Sequence, residues 1–272
     1  MSLFRQVDLA TGDIGRDAWG RPKVVLDKSL FHGMFTYNVP VTTWAENLNG
    51  TELTAFSNAT SVDGMLSLTA GATLNDVTYL HSFLNPRYEP NRGHLYSVSI
   101  ILPLPTDDGV RRFGDYTNES GKFFELTATG LFGVIRTTTT VGGTVDDRYP
   151  IDTTGIDLSK GNTFDIQMQW RGVGNYFWYI NDTMVLTVEY IGTLTALSSF
   201  NPANPVRYEC ENLGDNVTIL SGCVDITSEG GIDNGKTYGS VSISNEAGQV
   251  SVSGFNTPVI AIRSKLIVNG LI

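Results

Sequence analysis

The sequence contains few cysteines and few histidines, two and three in 272 residues. Cys210 and Cys223 lie thirteen positions apart with a glycine-containing turn between them, so a disulfide across a hairpin is geometrically conceivable. No histidine lies close to them in the sequence, and two thiolates alone do not complete a tetrahedral zinc site. Because intracellular proteins usually keep their thiols reduced, the sequence favours two packed, free thiols over a disulfide.

Long apolar runs and clusters of basic residues are also lacking. No run approaches the roughly 20 apolar residues that span a bilayer, and the N-terminal segment lacks the basic-then-apolar order of a signal peptide. The chain has 18 Lys and Arg against 28 Asp and Glu, a net charge of −10, without a basic segment that could neutralise a phosphate backbone. These absences predict a protein made in the cytoplasm, with no membrane insertion and no direct nucleic-acid binding.

The residues that are abundant indicate a turn-rich β-protein. The chain has 29 Gly and 10 Pro, and 41% of its residues are hydrophobic. Residues 163–191 predict three consecutive antiparallel strands, here called the meander, with turns at 172–174 and 181–182. In its first strand apolar residues alternate with Asp165, Gln167 and Gln169, which is the pattern of a half-buried strand. The meander is therefore expected to form the rigid centre of the fold.

The domain organisation follows from where the strand signals begin. Residues 1 to 30 show little sustained alternation and are predicted to form an extended N-terminal arm, which carries Arg16, Arg21 and Lys23. Strand signals start at Met34 with the run MFTYNVPV and continue at sandwich-like intervals. Only residues 194–200 could form a short helix. We predict an all-β fold, an antiparallel two-sheet sandwich of the jelly-roll or lectin-like type, as a single domain over residues 31–272.

The sequence offers one pair of residues suited to glycoside hydrolysis, Glu209 and Glu211. Alternate strand residues lie about 6.5–7 Å apart, between the carboxylate separations of retaining and inverting glycosidases. A turn follows the pair at once, however. The polar side of the meander offers only one carboxylate, Asp165, beside two amides, and amides do no acid–base chemistry. The three histidines are far apart in the sequence and no G-x-S-x-G motif is present. A polar sheet face is therefore favoured, and no catalytic residue is predicted.

Three acidic positions are candidate calcium ligands. Asp107-Asp108, Asp146-Asp147 and Asp225 could supply oxygen atoms, but no Asp-x-Asp-x-Asp-Gly loop of the EF-hand kind is present. Solvated acidic turns are the simpler interpretation. The sequence predicts no metal site and no cofactor.

Five short blocks, in this order along the chain, are similar to a family of tailed-bacteriophage virion proteins. The blocks are Asp17 to Val24 (DAWGRPKV), Asn91 to Ser97 (NRGHLYS), Phe164 to Gly174, Pro205 to Glu209 (PVRYE) and Ser228 to Gly231 (SEGG). The resemblance implies a concanavalin-like β-sandwich that serves as a non-enzymatic building block of the particle. It transfers no catalytic residues. The final apolar segment, SKLIVNGLI, is either buried against a neighbour or continues into a longer product.

The predicted function is therefore a non-enzymatic virion structural protein, located in the virion, for head decoration, the neck or collar, or tail and fibre attachment. Its predicted partners are other capsid, neck or tail subunits and further copies of the same chain, contacted through the arm and the sandwich edges. The alternative is a carbohydrate- or receptor-binding module of the tail, which rests on the aromatic run Tyr176 to Tyr179 and would bind host surface glycan. A glycan-degrading enzyme that uses Glu209 and Glu211 is the less favoured third interpretation.

Overall fold

The computed structural model describes residues 28–86, 93–102, 108–139, 143–168, 174–189 and 203–228. All of these residues belong to one compact unit, Met1–Ile232. Every regular element within the described ranges is a β-strand, and none of the described residues forms a helix that could cross a membrane. The strands are β1 (Lys28–Met34), β2 (Trp44–Leu48), β3 (Thr51–Glu52), β4 (Ala59–Val62), β5 (Met65–Thr69), β6 (Val77–Ser82), β7 (His94–Ile101), β8 (Gly109–Tyr116), β9 (Gly121–Thr127), β10 (Gly130–Thr139), β11 (Gly143–Ile151), β12 (Asn162–Met168), β13 (Tyr176–Ile180), β14 (Thr183–Val188), β15 (Val206–Asn212) and β16 (Thr218–Ser228).

The strands form two antiparallel sheets. Sheet I has the order β14-β13-β12-β7-β16-β5-β4, and β1 also pairs with β16. Sheet II has the order β11-β10-β9-β8-β15-β6-β2-β3. The predicted all-β, two-sheet antiparallel sandwich is confirmed.

The core lies between the two sheets and follows from the alternation of side chains along each strand. Phe164, Ile166 and Met168 of β12 are buried, whereas the intervening polar residues are half-buried on the outer face of sheet I. From sheet II, Phe113 stacks on Phe124 with their ring centroids 5.2 Å apart, and both rings meet Phe164 edge-on at 5.1 Å. Aromatic contact across the two sheets thus joins them into one sandwich.

The meander is confirmed as three antiparallel strands, but it is not the centre of the fold. It forms β12, β13 and β14, and its second turn has Asn181 and Asp182 at φ values of 51° and 62°, as a tight hairpin requires. These strands make up one end of sheet I, and β14 is the edge strand among the described residues. Strand β15, which carries Glu209 and Glu211, lies near the middle of sheet II.

Two local predictions differ from the structure. The sequence predicts a strand that begins at Met34, but strand β1 ends at that residue. The chain then turns, and Pro40 O accepts hydrogen bonds from the backbone N–H groups of Thr43 and Trp44. The acidic pair Asp146-Asp147, predicted as a turn, lies within strand β11. A long strand that pairs on only one side is mostly exposed, so its polar sequence resembles that of a loop.

The two cysteines lie in different sheets and are both free. Cys210 of β15 is fully buried, which confirms the packed thiol, whereas Cys223 of β16 is exposed, so the prediction of burial is wrong there. Its strand has an irregular register between Ser221 and Val224, which turns that side chain outward. Three predicted segments lie outside the described residues: the arm except for its last three residues, the possible helix at 194–200, and the chain end. The arm and the single domain therefore stay predictions.

Candidate functional site

Strand β15 places three charged residues in a row on the outer face of sheet II. Tyr208 and Cys210 point into the core, so Arg207, Glu209 and Glu211 point outward. Both neighbours of β15 in the sheet pair with it in register, with Glu209 between Arg112 of β8 and Tyr79 of β6. The strand that the sequence offered for glycoside hydrolysis is therefore held rigidly inside the sheet.

Arg112 brings the two glutamates together. Its Nη1 donates to Glu209 Oε1 at 2.5 Å and to Glu211 Oε2 at 2.9 Å, and its Nε donates to Glu125 Oε2 at 2.7 Å. Because both glutamate oxygens bond to one nitrogen atom, their separation is at most the sum of the two bond lengths. The two carboxyl groups therefore lie close together, nearer to the separation of about 5–5.5 Å in retaining glycosidases than to that of about 6.5–9.5 Å in inverting ones.

Glu209 is held in its ionised form. Burial alone would raise the pKa of Glu209, but the charges of Arg207 and Arg112 and the hydrogen bond from Arg112 outweigh burial and lower that pKa. The Glu209 carboxyl is only 5% exposed. An ionised, enclosed carboxylate suits a nucleophile or a charge stabiliser and does not suit a proton donor.

The ion pairs continue toward the edge of sheet II. Glu125 of β9 accepts from Arg112 and also from Arg148 Nε of β11 at 2.6 Å. Asp146 of β11 accepts from Arg136 Nε and Nη2 at 2.7 and 2.9 Å. Burial would raise the pKa values of Glu125 and Asp146, but their arginine hydrogen bonds lower both. We call this set the charge network, and its members are Arg112, Arg136, Arg148, Arg207, Glu125, Asp146, Glu209 and Glu211.

Two open clefts lie side by side over this part of the sheet, and Arg148 lines both of them. The polar cleft, of about 370 Å³, is lined by Asn118, Arg136, Thr144, Asp146 and Arg148. The second cleft, of about 460 Å³, is more apolar, with Val110, Phe132 and Leu213 among its lining residues. A mainly apolar lining with a few fixed polar groups is typical of small-molecule sites.

An aromatic stripe runs along β6 on the other side of β15. Tyr79 and His81 point outward with their ring centroids 5.8 Å apart, and Phe83 follows at 6.4 Å from His81. Phe83 is 54% exposed. The outer face of sheet II therefore presents, in order across its strands, an aromatic stripe, the glutamate pair and the two clefts.

The other residues singled out in the sequence do not assemble into a site. His32 lies on β1 with its Nδ1 3.6 Å from Asp225 Oδ1, His81 lies in the stripe, and His94 is buried in the core on β7. The histidines therefore belong to three different surroundings. Asp146, an expected solvated turn residue, is instead paired with Arg136 and Arg148. The described residues hold no group of three potential metal-ligating His, Cys, Asp or Glu side chains.

The arginines of the site were missed in the sequence. Arg112, Arg136 and Arg148 lie on β8, β10 and β11, strands that are separated from β15 by about 60 to 100 positions. Arg136 follows the apolar Ile135, which is a usable signal for an outward side chain, whereas Arg112 follows Arg111 and Arg148 follows Asp147. A local pattern of this kind does not reveal which strands are neighbours in the sheet, so it cannot predict that these arginines meet on one face.

No protein-family model and no curated protein sequence matches the chain. Solved structures do. The endo-1,3-β-glucanase from Streptomyces sioyaensis matches with a TM-score of 0.54 at 11% identity, over 75% of this chain and 97% of that chain. An endo-acting O-glycanase of the human gut microbiota that initiates mucin breakdown matches with a TM-score of 0.52 at 11% identity, over 73% of this chain and 98% of that chain. The binding domain of botulinum neurotoxin DC in complex with SialylT matches with a TM-score of 0.43 at 14% identity, over 71% and 44%. The first two matches, with TM-scores above 0.5, confirm the concanavalin-like, jelly-roll type of sandwich.

These matches overturn the predicted function. The prediction of a non-enzymatic virion structural protein is wrong, because the glucanase and the O-glycanase that share the fold are glycan-degrading enzymes. The argument against an enzyme rested on amides at the centre of the fold, and that position holds the carboxylates of β15 instead. The matches give no support to capsid, neck or tail subunits as partners. The resemblance to the virion family and the location in the virion are untested and stay predictions.

Proposed function

We propose that the chain binds a glycan on the outer face of sheet II. The observation that carries this proposal is that two open clefts, joined at Arg148, lie on the same face as an aromatic stripe that ends in the exposed Phe83. A sugar ring has an apolar face, which packs on aromatic and aliphatic side chains, and hydroxyl groups, which need fixed donors and acceptors. Both kinds of group are present on this one face.

The polar side chains of the clefts are held in place before a ligand arrives. Arg136 is fixed by Asp146 and by the carbonyl of Thr117, and Arg148 is fixed by Glu125 and Asp146. No described residue accepts a hydrogen bond from Nη1 of Arg148, whose side chain is 44% exposed, so this nitrogen can donate to a hydroxyl group. Preorganised donors lower the ordering cost of binding.

Removal of the Arg148 side chain should weaken glycan binding about tenfold or more, which corresponds to about 1.4 kcal/mol. The probes are 1,3-β-glucan oligosaccharides and mucin O-glycans, the ligand classes of the two enzymes that share the fold. Binding is measured by titration calorimetry after a glycan array has selected the ligand. Arg148→Ala is compared with Lys160→Ala, which also removes an exposed, ion-paired cation but lies outside the site.

Phe83→Ala tests the aromatic stripe in the same assay. It should weaken binding of longer oligosaccharides, which reach β6, more than binding of short ones. Met184→Ala is the matched control, because Met184 is 55% exposed and lies on sheet I. Equal affinity of wild type, Arg148→Ala and Phe83→Ala for every glycan bound would refute the site.

Hydrolysis of the bound glycan is the second candidate function. The observation in its favour is the close approach of Glu209 and Glu211, which fits a retaining pair. In that arrangement the ionised Glu209 serves as nucleophile, and Glu211, the more exposed of the two, is the remaining carboxyl group for the acid–base role.

If the pair is catalytic, Glu209→Gln and Glu211→Gln should each reduce the release of new reducing ends by at least about 100-fold, because each change removes one of the two required carboxylates. Glu119→Gln, in a turn outside the pair, should leave the rate unchanged. Retained glycan binding by both glutamine variants shows that the site is intact. Wild-type protein that binds glycan and releases no reducing ends contradicts hydrolysis and leaves the binding proposal standing.

A further inference from the structure

A lysine and an aspartate contact each other inside the hydrophobic core. Asp115 near the end of β8 and Lys122 near the start of β9 are directly opposite partners in sheet II. They lie on the same side of their strands as Phe113 and Phe124, so both point between the sheets. Lys122 Nζ donates to Asp115 Oδ2, and the two side chains are 5% and 8% exposed. The amine and the carboxyl are thus enclosed together.

This pair is poorly compensated as an ion pair. An ammonium has three donors, and Asp115 is the one acceptor that the described residues offer to Lys122. Asp115 Oδ1 has no hydrogen-bond partner among the described residues, and apart from Lys122 the carboxyl is stabilised only by the backbone N–H of its own residue. Buried ions are stable only when their remaining donors and acceptors are satisfied, so the charged forms are disfavoured here.

Among the described residues of sheet I, none supplies a charge that alters the pKa of Asp115. His94 and Tyr96 of β7 are the titratable groups whose pKa values respond to Lys122 and Asp115. Burial, together with the Lys122 charge, lowers the pKa of His94 to about 4, and burial raises the pKa of Tyr96 well above its usual value. Both are neutral near pH 7. Burial also raises the pKa of Asp115 in spite of the Lys122 charge, which favours the neutral acid.

We propose that Lys122 and Asp115 form a covalent isopeptide bond after the sandwich has folded. The ammonium first passes a proton to the carboxylate, which gives a neutral amine and a neutral acid. Nζ then attacks Cγ, the new Nζ–Cγ bond forms and the Cγ–OH bond breaks. One amine proton leaves with the hydroxyl group as water, so the atoms balance without an oxidant, a reductant or another reactant.

The fold supplies what this condensation needs. Two groups held in contact react with effective molarities of about 10⁵–10⁸ M in favourable intramolecular cases. The apolar surroundings stabilise the neutral amide relative to two buried ions. In the unfolded chain neither condition holds, so the reaction depends on the folded state.

The bond would close a covalent ring around the turn between β8 and β9. That turn is already fixed by the hydrogen bond from Thr117 N to Ser120 O at 2.8 Å. It carries Asn118, whose Oδ1 accepts from Arg207 and which lines the polar cleft. The cross-link would therefore fix one wall of that cleft.

Mass spectrometry of the folded full-length chain, followed by trypsin digestion after denaturation, tests the proposal. An isopeptide lowers the intact mass by one water and blocks cleavage after Lys122. The digest should then contain the peptide Phe113–Arg136 less one water, because no other Lys or Arg lies between Lys122 and Arg136. Complete cleavage to Phe113–Lys122 at full mass would overturn the proposal.

The variant Lys122→Arg distinguishes the isopeptide from other losses of water. It retains a cation at this position, cannot form the same amide and should restore both the full mass and the cleavage after position 122. A succinimide at an aspartate would also remove one water, but it would leave Lys122 free for trypsin. A mass deficit that persists in Lys122→Arg would therefore count against the bond. The wild-type digest decides the question even if the variant folds poorly.

Discussion

Trp178→Ala is expected to reduce the free energy of unfolding by about 3–5 kcal/mol. Trp178 lies on β13 and is completely buried. It packs beside Tyr176 with ring centroids 6.2 Å apart and faces Gly133 of the opposite sheet, where an added Cβ would lie 3.0 Å from the indole. A small domain is stable by only about 5–15 kcal/mol, so the change removes a large share of the total.

Chemical denaturation with urea measures this difference. Phe177→Ala is the matched control, because Phe177 is the preceding residue on the same strand and is half-buried on the outer face. It should cost clearly less than Trp178→Ala. Similar losses of unfolding free energy for the two variants would mean that Trp178 and Phe177 do not point to opposite faces of β13.

Stability should fall by about 2–3 kcal/mol as the pH is lowered from about 6.5 to 4.5, because of His94. The pKa of His94 is about 4 in the folded chain, against an ordinary value of 6.5. The unfolded chain therefore binds a proton in this window that the folded chain does not bind. The stabilisation is fully present above the unfolded pKa and is lost as the pH falls toward the folded pKa. Burial is the main cause, and the charge of Lys122 adds to it only in a chain in which Lys122 is not bonded to Asp115.

Urea denaturation of wild type and His94→Gln at several pH values checks this expectation. The variant should have a much flatter profile between pH 6.5 and 4.5. His81→Gln is the comparison, because burial and Arg207 also lower the pKa of His81, but it lies on the outer face of sheet II. Below about pH 4.5 the profile also includes Glu125, Asp146 and Glu209, whose lowered pKa values add stability that is lost on acidification. An unchanged slope in His94→Gln would refute the assignment.

The local parts of the fold were predictable from the sequence. The alternation in Phe164 to Met168 and the turn at Asn181-Asp182 depend on neighbouring residues only, and the structure confirms both. The position of the meander at one end of sheet I depends on which distant strands pair. That choice is decided by packing between residues far apart in the sequence, such as Phe113 with Phe164.

The candidate site was only partly predictable for the same reason. Glu209 and Glu211 were identified because they lie two positions apart on one strand. Their chemistry depends on Arg112, which is 97 positions from Glu209 and becomes its neighbour only when β8 pairs with β15. The amides of the meander would count against an enzyme only if the meander lay at the centre of the fold, and it lies at one end of sheet I.

The charge network also determines how the site meets its surroundings. Its four arginines balance its four carboxylates, so the whole net charge of −10 belongs to the rest of the chain. An uncharged polysaccharide therefore gains nothing from electrostatic steering, and its association should depend little on salt. An anionic polymer would be repelled by the remainder of the molecule at low ionic strength, where salt screens weakly and charges interact over distances longer than about 10 Å. The internal pairing of these eight side chains thus favours neutral ligands over acidic ones before any contact is made.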